Sequence, residues 1–138
     1  MVLTGEKTKG RKRHIVTDIM GNILAIVVHT ANIHDTKSGR EVFLKALWRY
    51  PTVIGICADE GYKGAFFTFV IMFLGLICDI FEKIIPKGWH VIPKRWRVER
   101  AFAWFGNSRK LSKDYEIRTD SAETMCIISH LHTLLKRL

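Results

Sequence analysis

The spacing of apolar and polar positions divides the chain into short elements. His14–Asp18 and Ile23–Ile33 are two apolar, β-branched runs separated by Met20-Gly21-Asn22, which predicts a β-hairpin. Asn32–Asp35 interrupts the second run, and Thr36 or Asp35 is placed to cap a helix over about residues 37–49. Val42, Phe43, Ala46 and Leu47 fall on one face of that helix, and Pro51 ends it. Val53–Ala58 is unbroken in apolar character between Pro51 and Asp59-Glu60-Gly61, the pattern of a strand buried on both faces. A helix over Ala65–Leu74, a break at Gly75 and a strand over Leu76–Phe81 follow. Trp89–Ile92 reads as a further strand or an extended link into Pro93.

Two helices complete the pattern. The first runs from about Arg95 to Gly106, with Val98, Ala101, Phe102 and Phe105 as its apolar stripe. The second covers residues 121–137, with Asp120 as N-cap, Glu123 three residues later, and a stripe of Ile127, Leu131, Leu134 and Leu138. Residues 1–14 are polar and basic and suggest no element before the hairpin. The alternation predicts a mixed α/β sheet with helices on both faces, in a single domain over residues 1–138.

Composition narrows the class. At 48% hydrophobic the chain is not disordered, and at 138 residues it can bury a core without a disulfide or metal staple. Cys57, Cys78 and Cys126 form no CxxC pair and read as buried free thiols of a reducing cytoplasm. Ala65–Cys78 is apolar for fourteen residues, short of the roughly 20 that a spanning helix needs. A core helix is therefore expected there, with no membrane partner. The net charge of +9 points to a polyanion.

Two carboxylates stand out. Asp59 lies at the C-terminal end of a buried strand, where α/β sheets place their sites; by position it is either the cap of the next turn or a ligand. Glu99 flanks the stripe of its helix, and Arg95 lies one turn earlier, so a surface ion pair would account for both. Yet Glu99 is the only acid between Lys83 and Lys113, among Lys94, Arg95, Arg97, Arg100, Arg109 and Lys110, with Trp89, Trp96 and Trp104 interleaved. Cations that neutralise phosphates beside rings that stack on bases suit a nucleic-acid surface with a metal ligand in it. The six histidines show no metal-ligand spacing, and no P-loop, GxGxxG or nucleophile-elbow element is present.

Lys9–Asp18 (KGRKRHIVTD), Ala58–Gly64 (ADEGYKG), Ile92–Phe105 (IPKRWRVERAFAWF) and Arg109–Glu116 (RKLSKDYE) together resemble the C-terminal half of bacterial insertion-sequence transposases of the IS-four/IS-five type. The resemblance spans nearly the whole chain. It implies a DDE domain of ribonuclease-H-like fold, in which three carboxylates hold two Mg2+ (or Mn2+) ions for DNA strand cleavage and transfer. It maps the second catalytic Asp onto Asp59, the Glu onto Glu99, and the Arg of the Arg-x-x-x-Glu signature onto Arg95. Lys9, Arg11, Lys12, Arg13, Lys94, Arg95, Arg97, Arg100, Arg109 and Lys110 are the expected DNA contacts.

Two departures accompany the resemblance. The family's first Asp precedes the basic GRKRH segment, and here the chain begins just before it. The expectation is a sheet lacking its first central strand and its first catalytic Asp; Asp18 and Asp35 match turn acids of the pattern and do not replace it. Phe66–Leu74 is also more apolar than the family helix there. The leading expectation is thus a DNA-binding, catalytically incomplete transposase endonuclease, nucleoid-associated in the cytoplasm, acting on insertion-sequence ends alone or as a homo-oligomer. The alternative is a non-catalytic basic DNA-binding module, or one half of a split transposase that pairs with a separately encoded N-terminal half.

Overall fold

The computed structural model of the chain describes residues 1–8, 10–81, 96–106, 111 and 116–138, with backbone alone at 4, 6, 8, 81, 96–99 and 106. Five strands form one mixed sheet: β1 (Val2–Thr8), β2 (Arg11–Thr17), β3 (Ile23–Thr30), β4 (Gly55–Asp59) and β5 (Ile77–Phe81). Their order is β3-β2-β1-β4-β5. β1, β2 and β3 run antiparallel to their neighbours, whereas β1, β4 and β5 run parallel. This is the expected ribonuclease-H-like mixed sheet, with one correction.

The first central strand is not missing. β1 fills the centre, pairing with β2 from Val2–Thr17 to Thr8–Arg11 and with β4 at Val2–Cys57 and Leu3–Ala58. Val2 and Leu3 are 3% and 0% exposed and give one side chain to each face. The rest, Thr4–Thr8, is held chiefly by its backbone ladder to β2, joined through a turn in which Gly10 has φ 82°. A polar TGEKT run has no hydrophobic period, so the sequence pattern concealed it.

Both faces of the sheet are covered, because successive residues of a strand point opposite ways. Leu3, Val16, Val27, Ile56 and Ala58 pack against α1 (Asp35–Arg49) and α2 (Ala65–Thr68) through Val42, Phe43, Ala46 and Phe66. Val2, Ile15, Ile26 and Val28 pack against α3 (Trp96–Gly106) and α4 (Thr119–Leu135) through Ala101, Phe105, Ala122 and Cys126. Two covered faces explain why β3 reads as a nearly continuous apolar run.

Several local expectations change. α1 starts about two residues earlier than predicted; His34 is its N-cap and gives no side-chain cap, so neither Thr36 nor Asp35 fills that role. The apolar segment after Gly64 is a short α2 that continues as a π-helical turn over Phe69–Phe73 rather than one α-helix. The N-cap of α4 is Arg118, not Asp120. Glu123 closes no capping box. Its Oε1 accepts the Val28 amide of the edge strand β3 at 2.9 Å and its Oε2 binds Lys45 Nζ at 3.0 Å, while Lys45 also donates to the Ile26 carbonyl at 3.1 Å. Most of the stripe expected to face the core is turned outward, with Ile127 47%, Leu131 55% and Leu138 102% exposed and Leu134 half-buried. α4 buries Ala122, Cys126 and His130 instead, because small and aromatic side chains let it lie close to β3. The cysteines are free, but only Cys126 is fully buried. Among the described residues no helix is long and apolar enough to cross a membrane. Trp89–Ile92 lies outside the described residues.

Candidate active site

Asp59 ends β4 and organises the turn after it. Its Oδ1 accepts the Glu60 amide at 2.8 Å, opening a 3-10 turn over Glu60–Tyr62. The carboxylate thus serves as the cap that its position allowed. Cys57 belongs to the core under α3 and α4, while Asp59, at the end of the strand, lines a cleft shared with Asp35 of α1. The turn then carries Tyr62 onto the α1 face, where it is 2% exposed.

Tyr62 is locked there by residues from three elements. Its hydroxyl is hydrogen-bonded to His14 Nδ1 of β2, and the His14 ring stacks on His29 of β3 with centroids 4.7 Å apart. Gly5 of β1 lies directly opposite His14. A Cβ at Gly5 would stand 2.9 Å from His14 Nδ1 and 3.0 Å from the Tyr62 hydroxyl. A Cβ at Gly39 of α1 would stand 2.5 Å from Tyr62 Cδ1. Both positions must be glycine for the tyrosine and imidazole to meet. Burial, with His29 and Lys12 adding to it against Asp35, lowers the His14 pKa to about 4. Tyr62 is pushed well above its ordinary value by burial and then by Asp35 and Asp59. The pair is therefore neutral across the physiological range.

Above this lock is a cleft of about 110 Å³ that Lys7, Lys12, Asp35 and Asp59 line together with Gly5, His14, Gly61 and Tyr62. Lys12 Nζ pairs with Asp35 Oδ1 at 2.7 Å, so Asp35 brings a neutralised charge to the cleft. Asp35 Oδ2 crosses close to Gly61, where a Cβ would approach it to 3.3 Å. The cleft therefore holds two lysines against two carboxylates: Lys12 and Asp35 cancel as a pair, and Lys7 is left with the turn-capping Asp59. It does not by itself fit a pair of divalent ions. Among the described residues, no group of three or more His, Cys, Asp or Glu side chains could hold a metal ion.

The other sequence-predicted residues distribute as follows. Glu99 and Arg97 belong to α3 by their backbone, and their side chains lie outside the described residues, as do Lys9, Lys94, Arg95, Arg109 and Lys110. Arg11 donates to the Ile117 carbonyl at 2.6 Å, and Lys12 lines the cleft. Arg13 is corrected. It is 3% exposed and its Nη2 donates to the Leu111 carbonyl at 3.2 Å, because β2 alternation turns it under α3 rather than toward solvent. Arg100 bonds the Met20 carbonyl and lies 5.0 Å over the Trp104 ring, tying α3 to the β2–β3 turn. Gly5, Lys7, His14 and Tyr62 were not among the candidates. The Gly-Tyr after Asp59 carried a signal for Tyr62; Gly5 and His14 had none, since their meeting depends on β1 entering the sheet.

The transposase DDE domain family matches residues 3–134. A Burkholderia cepacia protein assigned as a transposase for insertion sequence element IS402 is 28% identical over 128 residues, covering 85% of this chain. The chain spans 59% of that relative's length.

Proposed function

The chain belongs to the transposase DDE domain family, and from that premise we propose that it engages DNA through its excess of basic residues, a net charge of +9, while being catalytically incomplete alone. The family generally uses divalent metal. In this chain the reading assigns Asp59 and Glu99 to a single weak Mg2+ or Mn2+ site. In two-metal phosphoryl transfer, ions about 3.5–4 Å apart must share a fixed bridging ligand. The observation that carries the reading is β1 itself: VLTGEKT occupies the centre of the sheet without an aspartate, its acid being Glu6, and its cleft-facing positions are Gly5 and Lys7. Lys12, with Arg11, Lys9, Lys94, Arg95, Arg97, Arg109 and Lys110, is assigned to the phosphate backbone; Arg13 and Arg100, committed within the fold, are not.

The test is a nicking and strand-transfer assay of the chain on insertion-sequence end DNA with Mg2+ or Mn2+. Salt-dependent binding without turnover is expected. Robust turnover abolished by Asp59→Ala would overturn the incompleteness. A second reading is one half of a split transposase. A separately encoded N-terminal half, added in trans, would then supply the missing acid, and turnover appearing only in the mixture would favour it.

A further inference from the structure

The edge strand β3 is held by side chains where a sixth strand would otherwise lie. Glu123 and Lys45 occupy the Val28 amide and the Ile26 carbonyl. At the other end of the strand, the Ile23 amide donates to His130 Nε2 of α4 at 3.2 Å. A backbone amide can only donate, so Nε2 must be bare and the ring proton sits on Nδ1. His130 is 8% exposed, and Nδ1 is buried with no hydrogen-bond partner among the described residues. The bond therefore exists for one protonation state of the ring. A second proton would put two donors face to face and remove the only acceptor.

We propose that His130 is a proton-operated latch holding α4 to the β3 edge, closed by the neutral imidazole and released by the imidazolium. The surroundings favour the closed form at neutral pH. Burial lowers the His130 pKa below its ordinary value, against the opposing pull of Asp18 in the β2–β3 turn. From α3 the Trp104 ring stands 5.9 Å away, carrying the Arg100 guanidinium at 5.0 Å, and Arg137 of α4 lies 5.3 Å over the same ring. Lys45 and Arg49 of α1 and Asp120 and Glu123 of α4 line the same groove, about 260 Å³ in volume, as His130. The groove beside the bond is where α4 and the β3 edge part. Release would bare the Ile23 end of an edge strand, a surface prone to pairing with another strand.

The test is amide hydrogen exchange on the full chain at pH 7.5 and pH 5, corrected for intrinsic exchange, together with carbon-13 shifts of the His130 ring. The expected result is an Nδ1–H tautomer at pH 7.5 and about a tenfold loss of protection at Ile23 on acidification, with Val28 changing much less. In His130→Gln the amide oxygen accepts from Ile23 at every pH, so the acid-dependent loss should disappear. An Nε2–H tautomer, an Ile23 amide indifferent to pH in the native chain, or an equal acid response in His130→Gln would each overturn the latch. The ring shifts and the native exchange need no variant, so misfolding of His130→Gln would not rescue the idea.

Discussion

Replacing Tyr62 with Phe isolates one hydrogen bond at the base of the cleft. The ring keeps its place against Gly39 and Phe66, so no cavity opens; the Tyr62 and Phe66 centroids are 5.7 Å apart in an edge-on contact. What is lost is the hydroxyl that His14 Nδ1 meets. His14 is 1% exposed, and its Nε2 is already without a partner among the described residues. Tyr62→Phe therefore leaves a buried imidazole with neither nitrogen satisfied, a loss of about 1–3 kcal/mol for an unpaired buried polar group. Urea unfolding at pH 7.5, followed by far-ultraviolet circular dichroism, should show a lower midpoint with an unchanged slope. A double-mutant cycle with His14→Leu supplies the control: in that background the hydroxyl is itself the orphan, and its removal should be neutral or stabilising. A loss below about 0.5 kcal/mol in the native background, or the same loss in both backgrounds, would refute the lock.

Three further outcomes follow from the same contacts. The His14 pKa falls from 6.5 unfolded to about 4 folded, so its contribution is complete above pH 6.5 and is lost as pH drops toward 4. That costs about 3 kcal/mol, read as a fall in the urea midpoint that His14→Leu abolishes. Gly39→Ala forces a Cβ to within 2.5 Å of the Tyr62 ring and should destabilise by about 1–3 kcal/mol, seen as a lower thermal midpoint. Glu123→Ala strips the Val28 amide and Lys45 of their partner and should lose about 1–3 kcal/mol, whereas Asp120→Ala, at a fully exposed site bonded to Arg118, should leave the denaturation midpoint where it was.

Much of the fold was legible because burial on both faces writes long apolar runs. Ile23–Ile33 and Leu76–Phe81 each contain the strand found there, Val53–Ala58 falls one residue short of the end of β4, and the Arg95–Gly106 helix is found within one residue of its expected start. β1 was illegible for the opposite reason: its place is fixed by two apolar residues and a backbone ladder, and neither leaves a period. The face of α4 was misread since apolar residues surround much of the helix, and the choice was made by close approach of Ala122, Cys126 and His130 to β3. At the site, Asp59 could be found from its place at a strand end. The glycine, histidine and tyrosine behind it could not be grouped without the strand register, because Gly5, His14 and Tyr62 are separated by up to 57 positions and share no spacing rule.

The junction between β1 and β4 has a mechanical consequence. β1 is laddered to β2 over its whole length yet meets β4 only near Val2 and Leu3. The sheet is thus an antiparallel meander and a parallel pair joined by few ladder bonds beneath Asp59, with the core under α1 shared between them. Thermal fluctuations that open a native sheet start where cross-strand bonding is sparsest. Asp59 rides on the parallel pair and Lys7 and Lys12 on the meander, so any loosening along that junction would change the distance between the carboxylate and the lysines.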